Sequence, residues 1–169
     1  MTYATAANLL ERFSAEEIAQ RADRSIPRLV TAAMLSTAAA GGDMSGFTAP
    51  EQAAAAAALA LINGALADAD SEIDGYVATR YSVPLNPAPS IVKRLACDLA
   101  RYHLYDDQAT ETIQKRRDAA VAVLRDISAG KVSLGTTATG DTAPAAQGGM
   151  VEMTSPAKVF GRPDNGGLR

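Results

Sequence analysis

The sequence predicts an all-α protein, a small helical bundle of about four to five helices with a long extended C-terminal tail. Three observations lead there. Two capping-box signatures, Ser14 with Glu17 and Thr48 with Glu51, each stand ahead of an apolar run. Leu59, Ile62, Leu66, Ala69, Ile73 and Tyr76 recur at three- and four-residue steps, the spacing of one helical face. From Thr136 on, small and polar residues dominate, with too little apolar surface to offset the entropy of ordering. The chain therefore divides into a helical domain over 1–135 and a tail over 136–169 that orders on binding a partner.

The first helix starts near Thr5 in YATAANLLERF, with Leu9, Leu10 and Phe13 inward. In the capping box that follows, the Ser14 hydroxyl serves the free amides of the first turn and Glu17 reaches back, giving a helix over about 15–22. Ser25-Ile-Pro27 reads as another helical start, running through Leu35 until Gly41 and Gly42 stop it. GGDMSGF has no period and reads as loop. Thr48-Ala-Pro-Glu51 opens the longest helix, which ends before Ser-Val-Pro-Leu-Asn-Pro, because the residue before a proline is pushed out of helical geometry. Pro89 and Ser90 begin the next helix, with Ile91, Leu95, Leu99 and Tyr102 on one face. A turn at Asp106 and Asp107 leads to the last, which carries Ile113, Ala120, Leu124 and Ile127 and is closed by a left-handed Gly130. KVSLG reads as a short strand. Ile73, Tyr76, Val77, Leu95, Leu99, Tyr102, Leu124 and Ile127 are expected to share one core.

At 169 residues the chain is one domain plus appendages. Many of its apolar residues are alanines, and there is no tryptophan, so the core gains little per side chain and burial against neighbouring subunits would help it. The net charge of −3 argues against general affinity for the DNA backbone. Cys97 is the sole cysteine, which excludes an internal disulfide and fits a reducing compartment. The N-terminus shows no basic region followed by an apolar run, so no signal peptide is expected. The alanine run over 53–60 is too short and too weakly apolar to span a bilayer. A soluble, cytoplasmically made protein without a membrane partner is expected.

The stretch DSEIDGYVATRY, residues 70–81, has the opening of a calcium loop: acidic residues at its first, third and fifth positions and Gly75 at the sixth. Such a loop wants Asp or Asn third and a bidentate Glu twelfth, where this chain has Glu72 and Tyr81. Ile73, Tyr76 and Val77 also continue the helical period, which an ion loop must break. The stretch is read as helix, with Asp68, Ser71, Glu72 and Thr79 turned towards solvent or a neighbouring subunit. Gly75 costs about 1 kcal/mol there relative to alanine, which predicts the close approach of another helix or chain. His103 is the sole histidine and is read as a surface or partly buried imidazole; Cys97, six residues away, does not share its helical face. No dinucleotide or P-loop glycine pattern is present. Neither catalytic residues, cofactor nor metal is predicted. Lys115, Arg116 and Arg117 form the one basic cluster, flanked by Glu111 and Asp118, and read as a solvated or subunit-facing salt-bridge stripe.

Several stretches together resemble the head–tail connector (adaptor, or head-completion) family of Mu-like bacteriophages and prophages. They are YAT at 3–5, RF at 12–13, EE at 16–17, DR at 23–24, ALADADSEIDGYVATRYSVPL at 65–85, RLACDLARYHLYDD at 94–107, and the close of the last helix with VSLG. The resemblance spans most of 3–135 and is most specific over 73–85. The connection over 25–58 is longer and richer in Ala and Gly than the family pattern. What the resemblance implies is a non-enzymatic virion protein of the phage neck: a dodecameric ring beneath the portal protein, further neck or tail-completion proteins docked below, and DNA passing through the lumen without sequence-specific binding. The rival reading is a small α-helical DNA-binding regulator using the 111–125 helix, and a third is a standalone structural bundle.

In the tail, residues 136–149 read as a flexible reach. Only VFGRPDNGGL resembles the short Phe-x-Arg ending of such connectors, which makes Val159, Phe160, Arg162 and Leu168 the candidate partner-binding residues. Residues 150–153 and Val159-Phe160 suit extended segments that add to a partner's sheet edge, with Phe160 filling a pocket and Arg162 pairing with a carboxylate.

Overall fold

In the computed structural model, residues 2–135 are described; the tail, and with it the readings of Val159, Phe160, Arg162 and Leu168, lies outside them. The described residues form six α-helices: α1 (Ala6–Arg12), α2 (Ala15–Ala22), α3 (Ala32–Ala39), α4 (Ala49–Val77), α5 (Ser90–Tyr105) and α6 (Glu111–Ser128), with a 3-10 turn (Asp106–Gln108) between the last two. The all-α expectation holds, with three short helices laid against three longer ones.

Local chemistry explains most of the boundaries. Thr5 caps α1: its hydroxyl accepts from the Asn8 N–H at 3.3 Å, and its own N–H donates to Asn8 Oδ1 at 3.2 Å. The α2 bounds match expectation, but the mechanism differs. Ser14 makes no side-chain cap, and Glu17 turns instead to Arg101 and Tyr105 on α5. At Thr48 the Glu51 carboxylate does reach back, accepting from the cap N–H and hydroxyl at 2.8 Å each. Gly130, at φ +79, ends α6, and the Lys131 N–H donates to the Asp126 carbonyl at 2.9 Å.

The helix expected from Pro27 begins later, at Ala32 behind a Thr31 cap. Its would-be first-turn amides at Leu29 and Val30 are taken by the carboxylate of Asp23, which fixes 24–30 as a loop. No strand forms at KVSLG; Val132 and Leu134 pack on the core, and the Leu134 N–H donates to the Tyr81 hydroxyl at 3.1 Å.

α4 is the spine. Ala55, Ala58, Ile62, Ala65, Leu66, Ala69, Ile73 and Val77 are buried along it, and its most extensive interface is with α5. From the other long helices Val92, Leu95, Ala96, Leu99 and Ala100 of α5 and Ala120, Val121, Leu124 and Ile127 of α6 join the same cluster. Six of the eight expected core residues are fully enclosed. Tyr76 packs at the edge, and Tyr102 lies half-buried outside the cluster because the buried face of α5 is rotated towards Val92 and Ala96. By length and composition α4 is long and apolar enough to cross a bilayer, but most of its large apolar side chains, exposed Leu61 excepted, pack in this core and its second half carries Asp68, Asp70, Glu72 and Asp74.

Candidate functional site

The segment that imitates a calcium loop is helical through Val77, so its carboxylates are distributed around a helix instead of converging on an ion. They have separate tasks. Asp70 is buried, and both of its oxygens accept from the Tyr3 N–H, at 3.2 and 3.3 Å. Burial raises its carboxyl above the usual range, and the nearby Asp74 adds to that, while the Tyr3 amide works against it. Asp74 accepts a hydrogen bond from the Tyr3 hydroxyl. Gly75 has open space where a Cβ would stand, so no helix among the described residues approaches it; close approach occurs instead at Gly130, where the Arg80 guanidinium lies against the backbone.

Glu72 is half-buried and joins three helices. Its Oε2 lies 3.4 Å from His103 Nε2 on α5, and its Oε1 lies 3.8 Å from the Arg117 guanidinium on α6. The His103 contact is close enough for an ion pair but is not aligned as a hydrogen bond. Arg117 also sits 5.3 Å from the Tyr102 ring centre and pairs with Asp118 at 3.3 Å. Lys115 pairs with Glu111 one turn before it, at 2.7 Å, on an exposed face where such a pair contributes only a few tenths of a kcal/mol. Arg116 is exposed, with its guanidinium 5.8 Å from the Phe13 ring centre. The expected cluster thus splits three ways.

A second polar seam binds the short helices to α5. Arg101 donates to Glu17 at 2.8 Å and lies 4.4 Å from the Phe13 ring centre, and the Tyr105 hydroxyl donates to the same Glu17 oxygen at 2.6 Å. Arg21 stacks on Tyr105 at 4.3 Å and donates to Gln108 at 2.9 Å. Arg12 pairs with Asp98 at 3.3 Å. Sequence reasoning missed these pairs because their members are 84 to 88 residues apart.

Cys97 is buried, which pushes its thiol up to about 11, so it stays protonated and unreactive at neutral pH. His103 is half-buried beside Glu72 and the Tyr102 ring. Among the described residues no group of three or more His, Cys, Asp or Glu side chains is placed to hold a metal ion.

Residues 3–153 match the family described as Bacteriophage Mu, Gp36. The chain is similar to the Mu-like prophage FluMu protein gp36 of Haemophilus influenzae, at 33% identity over 103 residues, 61% of this chain and 72% of that protein. It is likewise similar to gene product J of Escherichia phage Mu, at 35% identity over 107 residues, 63% of this chain and 75% of that protein. The stretches within 3–135 that carried the resemblance to Mu-like phage proteins lie within the matched span, and VFGRPDNGGL lies beyond it. The chain belongs to the phage Mu Gp36 family.

Proposed function

We propose that this protein is a structural virion component, a head–tail connector that forms a dodecameric ring beneath the portal in the phage neck. It links the portal to further neck or tail-completion proteins, acts without catalysis, is made in the host cytoplasm, and leaves a lumen through which DNA passes without base-specific contact. The observation that carries this reading is family membership, matched over the whole helical body and into the tail. The body supports it. Polar seams tie α1 and α2 to α5, and Glu72 ties α4 to α5 and α6, giving a block suited to passing force between neighbours. Lys115 and Arg117 are engaged by carboxylates of their own chain, which suits a wall that DNA slides past. The regulator reading needs that face free for phosphates, and of the three cations only Arg116 lacks an ion pair among the described residues.

Mass spectrometry of purified particles from the encoding phage or prophage tests the reading, alongside micrographs of a deletion mutant. The expected result is the chain in intact virions, with the deletion leaving heads and tails unjoined. Normal virions lacking the chain would overturn it.

A further inference from the structure

We infer that the concave face between α4, the end of α5 and the loop after α2 is a docking site for a protein segment that carries carboxylates beside an aliphatic side chain. Two hollows adjoin there, of about 210 and 240 Å³, and Arg21, Arg24 and Leu104 line both. Arg28 belongs to the first, while Leu61 and Gly64 of α4 belong to the second. One end of the groove is therefore cationic and the other apolar.

The cationic end is no mixed-charge stripe like that of Lys115 and Glu111. Neither Arg21, Arg24 nor Arg28 has an ion pair among the described residues. Arg21 is held by neutral groups, the Tyr105 ring at 4.3 Å and the Gln108 side chain at 2.9 Å, which leave its charge uncompensated. Asp23 and Asp106 share the lining. Asp23 is 7% exposed and turned to backbone donors. Its Oδ1 accepts from the Ser25 N–H at 2.8 Å and from the Ser25 hydroxyl, and its Oδ2 accepts from the Leu29 and Val30 N–H groups at 2.8 Å each. Those bonds also fix the loop that carries Arg24 and Arg28, so both guanidiniums are presented from a held backbone. Three guanidiniums against two carboxylates leave the hollow positive, and a concave wall of one sign concentrates the opposite charge.

The arginines select an anion, and the apolar end selects its kind. Leu61 is 39% exposed, and Ile26, between the two loop arginines, is 98% exposed. Ala60 and Gly64 beside Leu61 are exposed and small, with open space above Gly64, so a partner's side chain can lie close to the α4 backbone. An aliphatic group set there leaves water against Leu61 and Leu104, while carboxylates of the same segment meet Arg24 and Arg28 in charge-assisted hydrogen bonds. Asp68 stands at the apolar end and repels acid there, which fixes the direction in which the segment lies. A nucleic-acid backbone would use the arginines, leave Leu61 and Ile26 in water, and meet Asp68 as a like charge. A protein segment satisfies both ends. The site's chemistry is independent of the ring proposed above.

Heteronuclear NMR of the full-length protein tests the site. The probes are a short peptide with paired leucines followed by paired aspartates, its counterpart with asparagines in place of the aspartates, inorganic phosphate, and a short DNA duplex. The aspartate peptide should shift the side-chain signals of Arg24 and Arg28 and the Leu61 methyls together, saturating at millimolar concentration or below. The asparagine peptide should bind about tenfold more weakly, and Arg24→Gln with Arg28→Gln should weaken the aspartate peptide by a similar factor. Leu61→Ser should weaken that peptide severalfold and leave phosphate unaffected. No binding of the aspartate peptide, equal binding of the two peptides, or indifference to the arginine substitutions would overturn the site. Shifts confined to the arginines and given equally by phosphate would make it a free-anion site and overturn it as well. Displacement of the aspartate peptide by the duplex from the same arginines would assign the face to nucleic acid instead. Any of these failures leaves the connector reading standing, since that reading is tested in the particle.

Discussion

Tyr3 joins three places far apart in the chain. Its N–H is held by Asp70, its hydroxyl donates to Asp74, and that hydroxyl accepts from the Leu85 N–H at 3.0 Å. Burial pushes the phenol up to about 12, helped by the hydrogen bond to Asp74. The folded state thus favours the protonated phenol. Its contribution is complete below about pH 10, the ordinary tyrosine value, and is lost as pH rises from there through about 12. Tyr3→Phe leaves the buried Leu85 amide without this acceptor and should cost about 1–3 kcal/mol at neutral pH. Denaturant unfolding of both proteins at neutral and high pH checks this: the gap between them should narrow above about pH 10. A gap unchanged by pH would show that the hydroxyl is not what holds the N-terminus. Sequence inspection gave no sign of this role, since every partner of Tyr3 is 67 or more residues away.

At the scale of the helices, legibility followed the range of the interactions that set each boundary. Helices α1, α2, α4, α5 and α6 were readable because caps, prolines and apolar period act within one or two turns. The start of α3 was not, because a carboxylate from the end of α2 captures the amides that Pro27 would have led into a helix. The cap expected of Ser14 and Glu17 failed for a similar reason: Arg101 and Tyr105 offer Glu17 stronger partners across the bundle than the local amide. Among candidate site residues, Lys115 with Glu111 was legible as a spacing rule, whereas Glu72 bridging His103 and Arg117 depends on how three helices pack. The core face of α5 gives a direct test. Leu99 is fully enclosed between helices, so Leu99→Ala should cost about 2–5 kcal/mol through lost burial and the cavity left behind. An unchanged melting temperature would contradict the packing of α5 on α4.

For the whole molecule, the connector reading assigns residues 1–135 the role of a preformed block and residues 136–169 that of a segment ordered by its partner. Deleting 136–169 should leave the helical signal in circular dichroism and the melting temperature of the body essentially unchanged, yet abolish stable docking in the neck. Phe160→Ala and Arg162→Ala should give weaker forms of the same defect, scored as the yield of joined virions. Loss of helical content on truncation would put the boundary elsewhere. The central claim is the place of the folded body in the particle, and a cryo-electron-microscopy reconstruction of the neck of the encoding phage tests it most directly. The predicted result is a ring of twelve copies of the α1–α6 block directly beneath the portal, with DNA or an open channel on its axis. A neck whose density beneath the portal is fully accounted for by other chains would contradict it.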